Sequence, residues 1–475
     1  MRGIVRSRPS ASGGPASRGS TKQLSRLSVI VIAATGLLAS AMAAAATPPT
    51  VADAVATFEY TQNMHPLGFS AREVPLSGPT SGSFNSDLAF WGDMAVQGSY
   101  AGFRLIDISS PANPVEIINW EECTSATSSA GNQGDIIIYG DLIVRSWNSP
   151  TGFSGSSCGD FPMAQGEEGV HMIDISDPTN PVVVGFVDLP CGSHTETGVP
   201  DLVNNRLIVY SNPSGGACPQ IDIVEVPLDD PGSATYLGPL TSGRPCHDTG
   251  VILGDVNKMA CAGGNGVTVW SLDAADGGSL TAPAFQFSQS LGVGIGHSAA
   301  WTWDGEVLVF GHEPGGGGQA QCQATSSVLN RTLFFLDGDT GETLGTFLHP
   351  RPQTNTENCT WHNYTVVPTD KAYVLVSGNY QSGISVLDFT DPSNVREIAY
   401  ADPAPLSDAG LVIGGDWSTY WYNGFIYESD IRRGLIVWKL SDPAVAGAKK
   451  FPYSNPQTQE TSFGTSPAFG EGLRG

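Results

Sequence analysis

Basic residues are scarce in this 475-residue chain: 22 lysines and arginines stand against 46 aspartates and glutamates. Six of the 22 (Arg2, Arg6, Arg8, Arg18, Lys22 and Arg26) fall near the N-terminus. From residue 47 onward, 16 basic residues face all 46 acidic ones, a formal charge of −30. Such a surface repels phosphate backbones and anionic lipid, which excludes nucleic-acid binding and attachment of the exported chain to membranes. Convincing helical periodicity is also missing beyond residue 47, where apolar residues alternate or form short runs. That argues against a helix bundle or a helix-covered parallel sheet. Only one long apolar run exists, from Leu27 to about Ala46.

That run follows the basic segment and ends in Ala41-Met42-Ala43 and Ala44-Ala45-Ala46, two small-x-small cleavage options. Residues 1–46 therefore read as a secretory signal peptide. An uncleaved anchor is the alternative, because the run approaches membrane-spanning length. A secreted or cell-surface location follows, and there the eight cysteines are expected in disulfides. The 58 glycines and 33 prolines suit a chain of many tight turns.

What the chain has in abundance is one repeated pattern. It reads GFRLIDISSPANPV from Gly102 and GVHMIDISDPTNPV from Gly169. Drifted copies are QIDIVEVPLDDPG, GVTVWSLDA, RTLFFLDGDTG, GISVLDFTDPSN and GLIVWKLSDP. Anchored at Asp107, Asp174, Glu225, Ser271, Asp337, Asp388 and Lys439, the copies are 67, 51, 46, 66, 51 and 51 residues apart. Each unit holds four short β-runs. In the first, LAFWGDMAVQGSY gives two strands around Gly92-Asp93, FRLIDI a third and VEIINW a fourth, with Pro111 and Pro114 between the last two. A period near 50 with four strands per unit predicts an all-β, seven-bladed β-propeller, each blade four antiparallel strands.

Strands reading LIDISSPANPV and MIDISDPTNPV resemble the LVIVD-repeat family of secreted and surface bacterial propellers. The resemblance spans most of residues 84 to 445 and is strong in units one, two, six and seven. FFLDGDTGETLGTF in unit five is instead similar to quinoprotein-type propeller repeats. The family implies an extracellular β-propeller and carries no general enzymatic activity. The expected organisation is a signal peptide (1–46), an N-terminal segment (47–83), the propeller (84–453) and a mobile tail (454–475). The seventh unit lacks a fourth strand. Either residues 449–453 or VATFEYTQ near the N-terminus would supply it.

In a propeller the first residues of the innermost strands gather at one mouth of the axis. Those residues are Asp87, Asp135, His194, His247, His297, His362 and Asp416. Four of the chain's eight histidines thus share one repeat position. Neutral imidazoles suit copper, iron or zinc, and carboxylates add ligands or orient the rings. Four histidines on a propeller axis hold iron in carotenoid-cleaving oxygenases, a likeness of geometry only. The bland alternative is that each residue ties its loop to backbone N–H groups. The distance from each to the following turn Asp or Asn is 6, 6, 10, 8, 7, 8 and 7 residues, so the ring requires the extra residues to lie in turns. His312 and Glu313 end the second strand of unit five on the same rim, with Glu196, Asp248, Glu357, Glu428 and Asp430 nearby.

Three long loops open on that face, at about residues 148–168, 211–220 and 311–330. Position in the repeat pairs Cys123 with Cys158, Cys191 with Cys218, Cys246 with Cys261 and Cys322 with Cys359, all on this face. Three further motifs are set aside. Gly155–Gly159 has the G-x-S-x-G form but no strand–helix context, Gly292–Gly296 lacks a dinucleotide helix, and Asp337-Gly-Asp339 is a hairpin turn rather than a calcium loop. The leading functional expectation is a monomeric extracellular binding module, taking protein, polysaccharide or a small molecule on its loop-rich face. A metal-dependent redox or oxygenase enzyme and a purely structural envelope protein are the alternatives.

Overall fold

The computed structural model describes residues 49–72, 84–124, 133–148, 156–213 and 218–461, together with a strand at Val5–Ser7. Apart from that strand, which runs antiparallel to Val182–Asp188, the signal-peptide segment lies outside the described residues. Among the described residues no helix is long and apolar enough to cross a membrane.

Among the described residues seven of the eight sheets are built on blades of four antiparallel strands that succeed one another along the chain; the eighth joins Cys123–Thr124, Ser157–Cys158 and Phe161–Pro162. The innermost strands of the blades are Asn85–Trp91, Ile136–Tyr139, Thr195–Asp201, Cys246–Leu253, Gly296–Trp301, Asn363–Val366 and Asp416–Tyr422. Successive strand residues point to opposite faces, and each face meets a neighbouring blade. Ile136 and Ile138 pack toward blade one, whereas Ile137 packs toward blade three. Seven apolar clusters result, one between each pair of adjacent blades, including one between blades seven and one. Each fully buried large side chain contributes about 1.5–3 kcal/mol. No blade has a core of its own, so the ring is the folding unit. The chain is a seven-bladed β-propeller.

The repeat's most regular letters have local causes. The aspartate of LID accepts the N–H two residues on: Ser109 to Asp107 and Ser176 to Asp174 at 2.8 Å, Thr390 to Asp388 at 3.1 Å. This Asx turn swings the chain from the third strand into the fourth. Asp337 likewise accepts from Asp339 and Thr340 N–H, which makes that segment a hairpin turn. The glycine opening the third strand lies against the outermost strand. A Cβ on Gly102 would meet Trp120 O at 1.8 Å, and one on Gly169 would meet Val187 O at 1.9 Å.

The ring closes through the N-terminal segment (47–83), but beyond VATFEYTQ rather than through it. The fourth strand of blade seven is Met64–Ala71, antiparallel to Gly434–Leu440. The VATFEYTQ stretch instead adds Phe58–Tyr60 as a fifth strand outside blade six. The buried Arg104 of blade one fastens the closure. Its guanidinium donates to Ser70 Oγ at 2.7 Å and to Gln97 Oε1 at 2.7 Å, and it pairs with Glu116 at 2.6 Å.

The expected mobility from Ser454 onward is corrected for the described part of the tail. Tyr453–Ser454 pairs with the innermost strand of blade one. The Asn455 amide bonds both Ile138 N–H and Ile138 C=O at 2.9 Å in blade two. Thr458 Oγ donates to Gly198 O at 2.8 Å in blade three. Thr458–Glu460 runs parallel to the innermost strand of blade four. Gln459 spans Trp301 N–H and C=O in blade five at 2.8 and 2.7 Å. Backbone groups facing the axis lack a neighbouring strand, and these side chains supply the missing partners. Residues 462–475 lie outside the described residues.

Candidate functional site

At the other end of the axis lies a cavity of about 360 Å³. His194, His247, His297, His362, Asp135, Asp248 and Glu313 line one part of it, and Phe84, Tyr100, Tyr380 and Trp417 another. Gln457 of the tail also lines it and donates to Asp87 Oδ2 at 2.9 Å, so the tail forms part of its floor. Among the described residues no lysine or arginine borders it.

Local structure aims the histidines. In blades four and five the register shifts at the start of the innermost strand, between Cys246 and Asp248 and between Gly296 and Ala299. Similar shifts occur at Asn85/Leu88 and Asp416/Ser418. A bulge re-aims the side chain it carries. The extra residues expected in the turns therefore sit partly at the strand starts. In blades three and six the turn absorbs them, at residues 202–205, with Pro200 inside the strand, and at residues 367–373.

The four imidazoles form a contiguous row. Ring centroids are 4.5 Å apart for His194–His247, 3.8 Å for His247–His297 and 4.2 Å for His297–His362. Each Nδ1 faces an anchoring group. His362 Nδ1 donates to Trp417 O, His297 Nδ1 lies 2.6 Å from Ser298 Oγ, and His247 Nδ1 is 3.6 Å from Asp248. His194 Nδ1 lies 2.6 Å from the Asn148 amide nitrogen, whose oxygen accepts from Gln133 N–H at 2.9 Å. That orientation places the His194 proton on Nε2, directed at His247 Nε2 at 3.0 Å. His194 is therefore set to hold His247, and becomes a ligand only if the Asn148 amide turns over.

The electrostatics keep most of the row neutral. Burial pulls His194 and His362 down to about 3 and His297 well below its usual value. Burial opposes charge on His247 too, but the adjacent Asp248 and Glu313 outweigh it and raise that imidazole. Glu313 is raised by burial, against the pull of His247 and Tyr380. Its carboxylate lies 4.0 Å from His297 Nε2 and 3.7 Å from His362 Nε2.

Donors bound to one ion at about 2.0–2.2 Å lie roughly 3–4 Å from each other. The ligand atoms of His247, His297 and Glu313 all lie within 4.8 Å of one another. The donor set and its spacing therefore fit a transition metal. His297 and His362, anchored at Nδ1, would present Nε2 as the ligand atom, the usual second-shell arrangement, whereas His247 Nε2 faces His194 and its Nδ1 stands 3.6 Å from Asp248.

Other expected site residues take different roles. Asp135 lines the cavity and faces Asp87; burial and then the Asp87 charge hold its carboxyl well above the usual range. Asp87 accepts from Tyr420 at 2.6 Å and from Gln457, and does not line the cavity. Asp416 turns into blade seven beside Glu428 and Asp430, away from the histidines. His312 is also not in the cluster: its Nε2 bonds Leu329 O at 2.8 Å and ties down the long loop. Glu196, Glu357, Glu428 and Asp430, placed near the rim from the sequence, are all buried. Glu357 caps a turn through Thr354 N–H at 2.8 Å, and Glu428 accepts from Trp438 Nε1 at 2.7 Å.

All four disulfides join the expected pairs: Cys123–Cys158, Cys191–Cys218, Cys246–Cys261 and Cys322–Cys359. Cys191, Cys246 and Cys359 stand three, one and three residues before His194, His247 and His362. The segments that carry the histidines are thus cross-linked to neighbouring loops or strands. Tyr380, Phe84, Tyr100, Trp417 and Asn148 were not singled out from the sequence; the signal that could have found two of them is the tyrosine that follows the second strand in both unit one and unit six, in VQGSY and VSGNY.

Residues 92–121 and 163–189 match the family model of the LVIVD repeat. The chain carries LVIVD repeats. The matched segments lie in blades one and two; the resemblance in units six and seven rests on their residues alone. No curated protein matches this chain. Similar solved structures include the β-propeller domain of Cps50 (Swd1) from Myceliophteria thermophila, with TM-score 0.45, 11% identity, and 76% of this chain and 98% of that chain covered. The WD40 propeller domain of Doa1 is similar at TM-score 0.45 and 11% identity, over 81% of this chain and 100% of that one. At that similarity neither bears on function.

Proposed function

We propose that this LVIVD-repeat propeller is an exported binding module that holds a transition-metal ion at His247, His297, His362 and Glu313. The supporting observation is the row of imidazoles from consecutive blades, with His297 and His362 anchored at Nδ1 and Glu313 beside them, in one tail-floored cavity. Export is supported by four disulfides, which persist in oxidising compartments, and by the basic and apolar N-terminal run. The cavity's volume suits a small molecule rather than a polysaccharide or protein loop. The absence of bordering lysine and arginine disfavours a free anion as that ligand.

The test is elemental analysis of the secreted, tag-free protein beside a His247→Ala/His297→Ala variant. Near-stoichiometric copper, iron or zinc is expected in the parent and less than a tenth of it in the variant. Equal metal content in a variant that melts like the parent would defeat the reading.

A further inference from the structure

Among the described residues, Tyr380 is the one bulky residue held in left-handed backbone. Among the described residues only three non-glycines have positive φ: Asn205 at 54°, Asn423 at 51° and Tyr380 at 54°. Asparagine tolerates this region at hairpin turns, where the first two sit. A tyrosine there costs about 1–2 kcal/mol, and local strain of this kind gathers at functional sites. The surroundings enforce it. Tyr380 N–H donates to Asp416 O at 3.1 Å and Asp416 N–H returns the bond at 3.0 Å. Gly415 lies against the Tyr380 carbonyl, where a Cβ would come within 2.2 Å. Gly317, at φ +62°, leaves room for the phenol: a Cβ there would stand 2.3 Å from Oη.

The enforced conformation delivers the phenol to the histidine row. Tyr380 Oη lies 2.8 Å from His362 Nε2 and 2.7 Å from Glu313 Oε1. Both contacts are hydrogen bonds; with the phenol proton removed, Oη would stand beside His362 Nε2 and Glu313 Oε1, themselves 3.7 Å apart, as a neighbouring donor to one ion. We infer that Tyr380 is a metal ligand, and that with His247, His297, His362 and Glu313 it forms a three-nitrogen, two-oxygen set that holds ferric iron. The inference rests on the metal reading above and goes beyond it by naming a ligand and an oxidation state. Imidazole alone suits zinc, copper, iron or nickel. A phenolate and a carboxylate add two hard anionic oxygens, which favour a small trivalent ion. On coordination the phenol gives up its proton to solvent through the mouth.

The experiment uses the exported full-length chain, stripped by chelator and then loaded in parallel with ferric citrate and with zinc. Ferric protein is expected to show a visible phenolate-to-iron charge-transfer band and tyrosinate ring modes in its resonance Raman spectrum. Tyr380→Phe should abolish both, bind iron at least tenfold more weakly and keep the parent's melting profile. Ferric protein that binds iron but shows no such band, or the same band in Tyr380→Phe, overturns the assignment while leaving the metal site standing. Uptake of zinc with no uptake of ferric iron also overturns it. Failure to take up either metal removes the metal reading as well.

Discussion

One added methyl group distinguishes two kinds of glycine in this ring. Gly140, at φ +59°, turns between the first two strands of blade two with open space around it. Gly140→Ala therefore meets only the backbone cost of the left-handed region, about 1 kcal/mol. Gly169 opens the third strand of the same blade with Val187 O 1.9 Å from where a Cβ would stand. Gly169→Ala must push apart two hydrogen-bonded strands, and about 3 kcal/mol is expected. Denaturant titration of the two variants checks this ordering; equal losses would mean that the third and fourth strands yield freely. The contrast explains which residues were legible in the sequence. Gly169, Asp174 and the histidines occupy positions that recur in each blade, so comparing units exposes them. Tyr380 has a counterpart in Tyr100 of unit one, two residues after the glycine of the second strand in each, but its contacts answer a demand made only where blades five, six and seven meet.

At the scale of elements, strand pairs joined by short turns were legible because their causes are local. The closing strand was not. Met64–Ala71 contains Pro66 and Gly68, both poor strand residues, and its register shifts between them. It is strand because Gly434–Leu440 offers an open edge and Arg104 grips its end, facts that arise only once the ring is nearly complete. The tail is a parallel case. A segment rich in Asn, Gln and Thr reads as solvent-exposed, yet Asn455 and Gln459 imitate a backbone by presenting a donor and an acceptor together. Asn455→Ala leaves Ile138 N–H and C=O without those partners in the channel, and a loss of about 2 kcal/mol is expected. Thermal melts check it, and an unchanged midpoint would show that water replaces the amide.

For the whole molecule, burying so many ionisable groups limits stability from both sides of the pH scale. The acids come first. Burial raises Glu428 and Glu460 from 4.5 to about 7 and Asp402 from 3.8 to about 6, and holds Glu196 and Asp416 well above their usual values. A carboxyl raised in the folded state stabilises fully below its unfolded pKa, and that contribution disappears as pH rises through the folded value. Stability therefore falls from about pH 4.5 to pH 7 and beyond on this account, and mutual repulsion within a strongly acidic chain acts in the same direction. The histidines outside the metal site work oppositely. Burial holds His349 down to about 3 and keeps His171 and His312 below 6.5. The unfolded chain takes up protons there first, so their contribution is full above pH 6.5 and is lost as pH falls toward the folded values. Only between about pH 4.5 and 6.5 do the two slopes oppose each other, and there the metal-free protein is expected to be most stable. Melting at pH 3.5, 5.5 and 8.5 in chelator checks it, with the highest midpoint expected at 5.5. Glu428→Gln keeps an acceptor for Trp438 and removes one ionisation, worth about 3 kcal/mol at 1.36 kcal/mol per pKa unit. The variant should narrow the gap between pH 5.5 and 8.5. A midpoint that climbs steadily to pH 8.5 in the parent would mean that these acids ionise inside the ring without cost.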